Sequence, residues 1–171
     1  MLLSKEECKY VLSFWKENES IASSKYLEGK IDEVNTIKFR TRVSGRYLDT
    51  DNPTLRNFLL NKLSPIGIVS LPDYVKIARY CKGDYFEPHH DFNFYGNGAV
   101  FKTLVLQLTD QDEYEGGTLY VLDEPQSRTQ GDYSLFLSKE LHEVKLLTKG
   151  TRYSLTYHLS EKNFIYQKTI I

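Results

Sequence analysis

Long apolar runs are missing from this chain of 171 residues, the longest being residues 119–122. A membrane-spanning helix needs about 20 such residues and the apolar stretch of a secretory leader at least about 7, so neither is expected. Excess charge is missing too: 22 Lys and Arg stand against 23 Asp and Glu, a formal net charge of -1. Nothing in that balance draws the protein to a phosphate backbone or an anionic membrane, and nucleic acid is not an expected partner. Cysteine is scarce, and the two present, Cys8 and Cys81, lie far apart without a paired spacing. They read as free thiols, and with no disulfide framework the expected compartment is the reducing cytoplasm. Gly/Ser-rich or Pro-rich tracts and fixed-period repeats are also lacking, which argues against linkers and solenoids.

What is present is ordinary globular composition, 40% apolar and 13% aromatic. The length suits a single domain over 1–171, with supporting helices and extended segments in 1–72 and a strand-rich core in 73–171. Ser4 followed by Glu7 forms a capping box ahead of Tyr10, Val11, Phe14 and Trp15 at helical spacing, which predicts a helix over 5–17. Asn52-Pro53 starts a second helix, with Leu55, Phe58, Leu59 and Leu63 as its stripe and a stop before Pro65. From Asp73 the pattern changes to strands, at 74–80, 84–91, 101–109, 117–122, 133–137, 143–147, 152–159 and 163–169, separated by Gly-containing turns. The fold class is therefore mainly β with N-terminal helices, a sandwich or jelly-roll barrel. An immunoglobulin-like sandwich gives no reason for the helical preface.

Histidine is rare and clustered: His89, His90, His142 and His158. In Glu87-Pro88-His89-His90-Asp91, side chains two apart on a strand share a face, so His89 and Asp91 converge while His90 turns away. One imidazole and one carboxylate, joined by a further His, would give the facial triad that leaves metal positions open for oxygen chemistry. A pair of edge-strand polar residues is the plain alternative. His142 opens a strand, and Arg152 begins another after the Lys149-Gly150 turn. Two antiparallel strands joined there would bring the imidazole and the guanidinium to one cavity. Arg152 and Ser154 share a face and offer a fork plus a hydroxyl, suited to a carboxylate, although a surface ion pair is the simpler role for an arginine.

The span 77–159 resembles the prolyl-4-hydroxylase-like branch of the Fe(II)/2-oxoglutarate-dependent dioxygenases. The matching pieces run in order: Arg79-Tyr80, Gly83, Phe86, Pro88-His89 and Asp91; Thr103 through Leu108; Tyr114-Glu115-Gly116-Gly117-Thr118-Leu119; Gly131-Asp132; Leu141-His142-Glu143-Val144; and Gly150-Thr151-Arg152-Tyr153-Ser154-Leu155. The resemblance implies a double-stranded β-helix (jelly-roll) core in which His89, Asp91 and His142 bind Fe(II) and are the catalytic residues. It implies that Arg152 binds the distal carboxylate of 2-oxoglutarate, assisted by Ser154, with Thr103 on the strand lining that pocket. Tyr80 is either a donor to the same carboxylate or a core aromatic. Gln107 stands where many of these enzymes have a second tyrosine, and His158 where they often have tryptophan. Gln107 still has an amide to donate to a carboxylate, and His158 either lines the substrate side or, as expected here, is a satisfied buried histidine outside the metal site.

The implied reaction is hydroxylation of an unactivated C–H bond with O2, converting 2-oxoglutarate to succinate, with ascorbate as an accessory reductant. The expected substrate is a prolyl residue in a polypeptide, and the alternative a free amino acid or another small molecule. A non-catalytic jelly-roll binding module has no use for Arg152 and Ser154 beside three ligands, and a cupin would carry more histidines on its ligand strands. Segments 40–53 and 92–99 are expected to be loops at the cavity mouth, serving as a lid or filling the barrel end.

Overall fold

The computed structural model describes residues 1–24, 43–91 and 101–165. Helix α1, Lys5–Asn18, begins where Ser4 Oγ accepts from Glu7 N–H and Glu7 Oε2 accepts from Ser4 N–H, satisfying two end donors reciprocally. Helix α2, Pro53–Leu63, has proline in its first turn and Asn52 Oδ1 accepting from Leu55 N–H. Both helices are where the periodicity predicts them. None of the helices among the described residues is long and apolar enough to cross a membrane.

The strands in chain order are β1 Ser23–Ser24, β2 Val43–Ser44, β3 Arg46–Thr50, β4 Val75–Cys81, β5 Tyr85–His89 and β6 Lys102–Gln107. They continue with β7 Tyr114–Gly116, β8 Leu119–Val121, β9 Glu124–Pro125, β10 Tyr133–Leu137, β11 His142–Val144 and β12 Leu147–Leu159. Among the described residues they make two antiparallel sheets. The larger has the order β1-β3-β4-β12-β6-β10, with β7 on the first residues of β12; the smaller has the order β2-β5-β11-β8-β9. This is the jelly-roll core.

The two faces of the large sheet differ in chemistry. Leu48, Ile77, Leu104, Leu106, Leu155, Tyr157 and Leu159 point to one face and form a buried cluster with Cys8, Val11 and Trp15 of α1 and Leu55, Leu59 and Leu63 of α2. Their sequence neighbours, by the period-two alternation of strands, point to the other face, toward the small sheet. There a second apolar cluster that includes Ala78, Val105, Leu119, Val121, Val144 and Leu147 surrounds a cavity of about 1010 Å³.

Three expectations are corrected here. The Lys149-Gly150 pair does not reverse the chain between two adjacent strands, because β12 runs through it. Gly150 has φ 77°, and its backbone approaches Glu113 so closely that a Cβ would lie 2.2 Å from the carbonyl oxygen. That left-handed residue bends the strand, so that it leaves β7 and pairs onward with β4 and β6. Residues 46–50 of the expected 40–53 loop are a strand paired with β4, placing Tyr47 and Leu48 in the interior; 40–42 lie outside the described residues. At the start of the strand expected over 163–169, residues 161–163 instead form a 3-10 turn closed by Asn163 Oδ1, which accepts from Ser160 N–H and Oγ–H. Phe164 then makes a lone bridge to Ile68. Residues 166–169, and all of the expected 92–99 loop, lie outside the described residues.

Candidate active site

His89 ends β5 and His142 begins β11, directly opposite each other in the small sheet. The Nδ1 of His89 lies 2.8 Å from the Glu87 carbonyl oxygen and that of His142 2.8 Å from the Glu140 carbonyl oxygen. A carbonyl can only accept, so each Nδ1 carries a proton and each Nε2 is turned to the cavity. Phe86 stacks on His89 with ring centroids 3.6 Å apart, and Phe136 packs on His142, which fixes both ring planes. His90 faces the other way, its Nδ1 on the Lys139 carbonyl.

Asp91 follows β5, and its N–H donates to the Ser138 carbonyl across to the end of β10. Its buried carboxylate meets His89 Nε2 at 3.5 Å on one oxygen and His142 Nε2 at 3.2 Å on the other. Thr103 Oγ donates to Asp91 Oδ2 at 2.6 Å and lies 3.0 Å from the buried hydroxyl of Ser138. Burial alone would raise the Asp91 carboxyl, but His142, His158 and His89 together hold it below the usual carboxylate range. Burial lowers the His89 imidazole, against the pull of Asp91, so its neutral form is favoured. One ligand atom each from His89, Asp91 and His142 falls within 4.8 Å of the others.

At the other end of the cavity Arg152, in β12, lies opposite Tyr80 of β4, with its guanidinium over the phenol ring at 5.4 Å. Its side chain is 1% exposed, and Nη2 donates to Gln107 Oε1 at 3.0 Å while Nη1 is buried without a partner. Ser154, Thr156 and His158 follow on the same face of β12 along the cavity wall. Gln107 does not line the cavity and reaches it through Arg152.

A sequence model described as "2OG-Fe(II) oxygenase superfamily" matches residues 75–160. The chain belongs to this superfamily. It is 32% identical over 85 residues to a PKHD-type hydroxylase of Idiomarina loihiensis, covering 47% of this chain and 39% of the relative. It is 30% identical over 119 residues to a PKHD-type hydroxylase of Maricaulis maris, covering 64% and 52%. The chain thus spans about half or less of the length of these curated relatives. In fold it is similar to a Pseudomonas putida prolyl-4-hydroxylase, with TM-score 0.61, 17% identity, and 92% of this chain and 89% of that one covered. It is also similar to a Trichoplax adhaerens prolyl hydroxylase solved in complex with a hypoxia inducible factor peptide fragment, with TM-score 0.59, 15% identity, and 91% and 77% covered.

The superfamily uses Fe(II) and 2-oxoglutarate, and the site has the chemistry to hold both. Two imidazole nitrogens and a carboxylate turned on one point form a mixed N/O set that suits Fe(II), each Nε2 ligating once it carries no proton. Two imidazoles and one carboxylate around a divalent ion leave a net charge near +1, favourable to a dianion. The buried Nη1 of Arg152 has no hydrogen-bond partner, which is the kind of donor an anionic group in the cavity would satisfy.

The structure places near the expected residues two that the sequence reading did not include, Tyr47 and Ser138, and shows closer contacts for His158 and Thr103. Tyr47 shares the cavity wall, its hydroxyl 3.1 Å from that of Tyr80, and no alternation in residues 46–50 marks it. Ser138 backs Thr103, with no sequence signal of its own. His158 is only partly buried, and its Nε2 lies 3.4 Å from Asp91 Oδ2, closer to the triad than a core histidine would be. Its parity with Arg152 was legible. Thr103 touches Asp91 directly.

Proposed function

We propose that this chain is an Fe(II)- and 2-oxoglutarate-dependent dioxygenase in which His89, Asp91 and His142 hold the metal and Arg152, with Ser154 and Tyr80, holds the distal carboxylate of the cosubstrate. The observation that carries this is that His89, Asp91 and His142 converge at one position of a single cavity while the unpartnered, buried guanidinium donor of Arg152 stands at another. With Fe(II) and 2-oxoglutarate bound, O2 is consumed, the 2-oxo acid leaves as succinate and CO2, and a substrate C–H bond becomes C–OH. His89 and His142 present Nε2 because their backbone carbonyl partners hold the proton on Nδ1. Thr103 orients Asp91 by binding Oδ2. Gln107 steadies Arg152, while Val105, Leu119 and Val144 give the wall an apolar part that keeps water from the reacting centre.

The substrate we assign is a prolyl residue of a polypeptide. The PKHD-type relatives support a hydroxylation, and the peptide-bound prolyl hydroxylase neighbour supports this substrate, as does a charge balance poorly suited to a phosphate backbone. The free thiols Cys8 and Cys81 fit a reducing cytoplasm. The test is mass spectrometry of proline-containing peptides incubated with the protein, Fe(II), ascorbate and 2-oxoglutarate, with succinate measured in parallel. A gain of one oxygen on proline, matched by succinate, is expected. If peptides leave succinate at its background while a free amino acid or small metabolite raises it, the substrate is a small molecule. If no substrate yields succinate, the chain is a binding module.

A further inference from the structure

We propose that Tyr47 is a positioning residue of the cosubstrate pocket: its hydroxyl donates to the Tyr80 hydroxyl and so turns the proton of Tyr80 toward the carboxylate held by Arg152. The proposal rests on the reading of Arg152 given above. Tyr47 sits on β3 and Tyr80 on the adjacent β4, with hydroxyl oxygens 3.1 Å apart and rings edge to face at 6.1 Å. The register explains how they meet. Tyr47 is opposite Ala78, whose methyl leaves the space above it open, so the phenol leans along the sheet to its diagonal neighbour Tyr80. Tyr80 is in turn opposite Arg152 on β12. Three adjacent strands therefore set Tyr47, Tyr80 and the guanidinium in one row on the cavity face.

The direction of the hydrogen bond follows from charge. Two phenols hold two protons, and only one lies between the oxygens. If Tyr80 donated to Tyr47, a Tyr80 lone pair would face an anion bound at Arg152, which is repulsive. With Tyr47 donating, the Tyr80 proton is free to point at the anion, and a chain of donors aligned this way strengthens each bond. Burial raises both phenols well above their ordinary range, so both protons are in place at neutral pH. Gln107 is not an equivalent donor, since its oxygen is engaged by Arg152 and its side chain does not line the cavity.

The test is calorimetric titration of Mn(II)-loaded protein, without O2, using 2-oxoglutarate and 2-oxobutanoate, which has the same chelating end and no distal carboxylate. Tyr47→Phe is expected to weaken 2-oxoglutarate about 3- to 10-fold, the scale of one oriented hydrogen bond, and to leave 2-oxobutanoate within a factor of about two. Tyr80→Phe is expected to weaken 2-oxoglutarate more, and adding Tyr47→Phe to it should change little, because Tyr47 acts through Tyr80. Equal weakening of both ligands by Tyr47→Phe, or full additivity with Tyr80→Phe, overturns the proposal. So does an unchanged 2-oxoglutarate affinity in Tyr47→Phe when the unsubstituted protein binds it. If the unsubstituted protein binds neither 2-oxo acid, the cosubstrate reading itself fails. Melting temperatures of each variant separate misfolding from these outcomes, and Tyr80→Phe alone tests the row should Tyr47→Phe not fold.

Discussion

Replacing Arg152 with methionine should separate ligand affinity from stability. The guanidinium is 1% exposed, has one side-chain hydrogen bond, to Gln107, and leaves Nη1 unpartnered. In the ligand-free protein, Arg152→Met removes a buried unsatisfied donor, which costs about 1–3 kcal/mol. It also loses the Gln107 bond and the stacking over Tyr80, together of about the same size, and methionine fills most of the space. The net change in ligand-free stability should be within about 2 kcal/mol of zero. Affinity for 2-oxoglutarate should fall by about 2–5 kcal/mol, roughly 30-fold to several thousand-fold, because the carboxylate loses its charged partner in a dry pocket. In thermal melts of Mn(II)-loaded protein, a ligand at 100 times its Kd adds about 2.7 kcal/mol, which for a chain of this size raises the melting temperature by roughly 5–11 °C. That rise is expected in the unsubstituted protein and should shrink to about a third of it or less in Arg152→Met. Lys149, with its side chain 74% exposed and paired with Glu115, should be replaceable by alanine without effect. A full ligand-induced rise in Arg152→Met, or its loss in Lys149→Ala, refutes the assignment.

Thr103→Val removes the 2.6 Å hydrogen bond to Asp91 and should weaken Mn(II) or Co(II) binding about 10- to 100-fold with the fold intact; unchanged affinity in a metal titration counts against its orienting role. Burial pushes the Cys8 thiol up to about 11, so at pH 8 a thiol reagent should label Cys81 in the native protein and Cys8 only as the chain unfolds. The unfolded Cys8 thiol ionises from about pH 8.5 upward while the native one does not, so stability falls as pH rises from there to about 11. Urea midpoints against pH should show that decline, and Cys8→Ala should flatten it. Leu122 and Asp123 turn β8 into β9 with φ 50° and 65°, a two-residue hairpin that prefers Asn-Gly; Leu122→Asn should raise stability by about 0.5–1 kcal/mol, read as a higher melting temperature.

The legible parts of this protein are those set by short-range periodicity. Two-residue alternation places His89 and Asp91 on one side with His90 opposite, and it places Arg152, Ser154 and His158 along one wall. The helices were legible because their caps are local chemistry. Sheet membership is a different matter. His142 and Arg152 are ten positions apart with a turn-forming glycine between them, and local rules make that a hairpin. The structure instead separates them into facing sheets, because Gly150 lets β12 change partners, and the space between the sheets becomes the cavity. Tyr47 was illegible for a similar reason. Its burial depends on Ala78 being small across a strand pair that no sequence spacing announces.

The site makes a demand on the rest of the fold that explains where stability comes from. Its polar groups are buried: Arg152 keeps an unpaired Nη1, and the Asp91 carboxylate is desolvated among three imidazoles. Each such group destabilises the ligand-free protein. The offset lies on the opposite face of the same strands, where Leu155, Tyr157 and Leu159 of β12 and Leu104 and Leu106 of β6 pack against the two helices. β12 is flanked on both edges by β4 and β6, so the ladder holds its polar row in place independently of that row's own contacts. A side chain on an edge strand with the same unmet hydrogen bonds would relax toward water. Placing Arg152 on the innermost strand keeps its donor aimed into the cavity, where the carboxylate of the proposed cosubstrate would satisfy it.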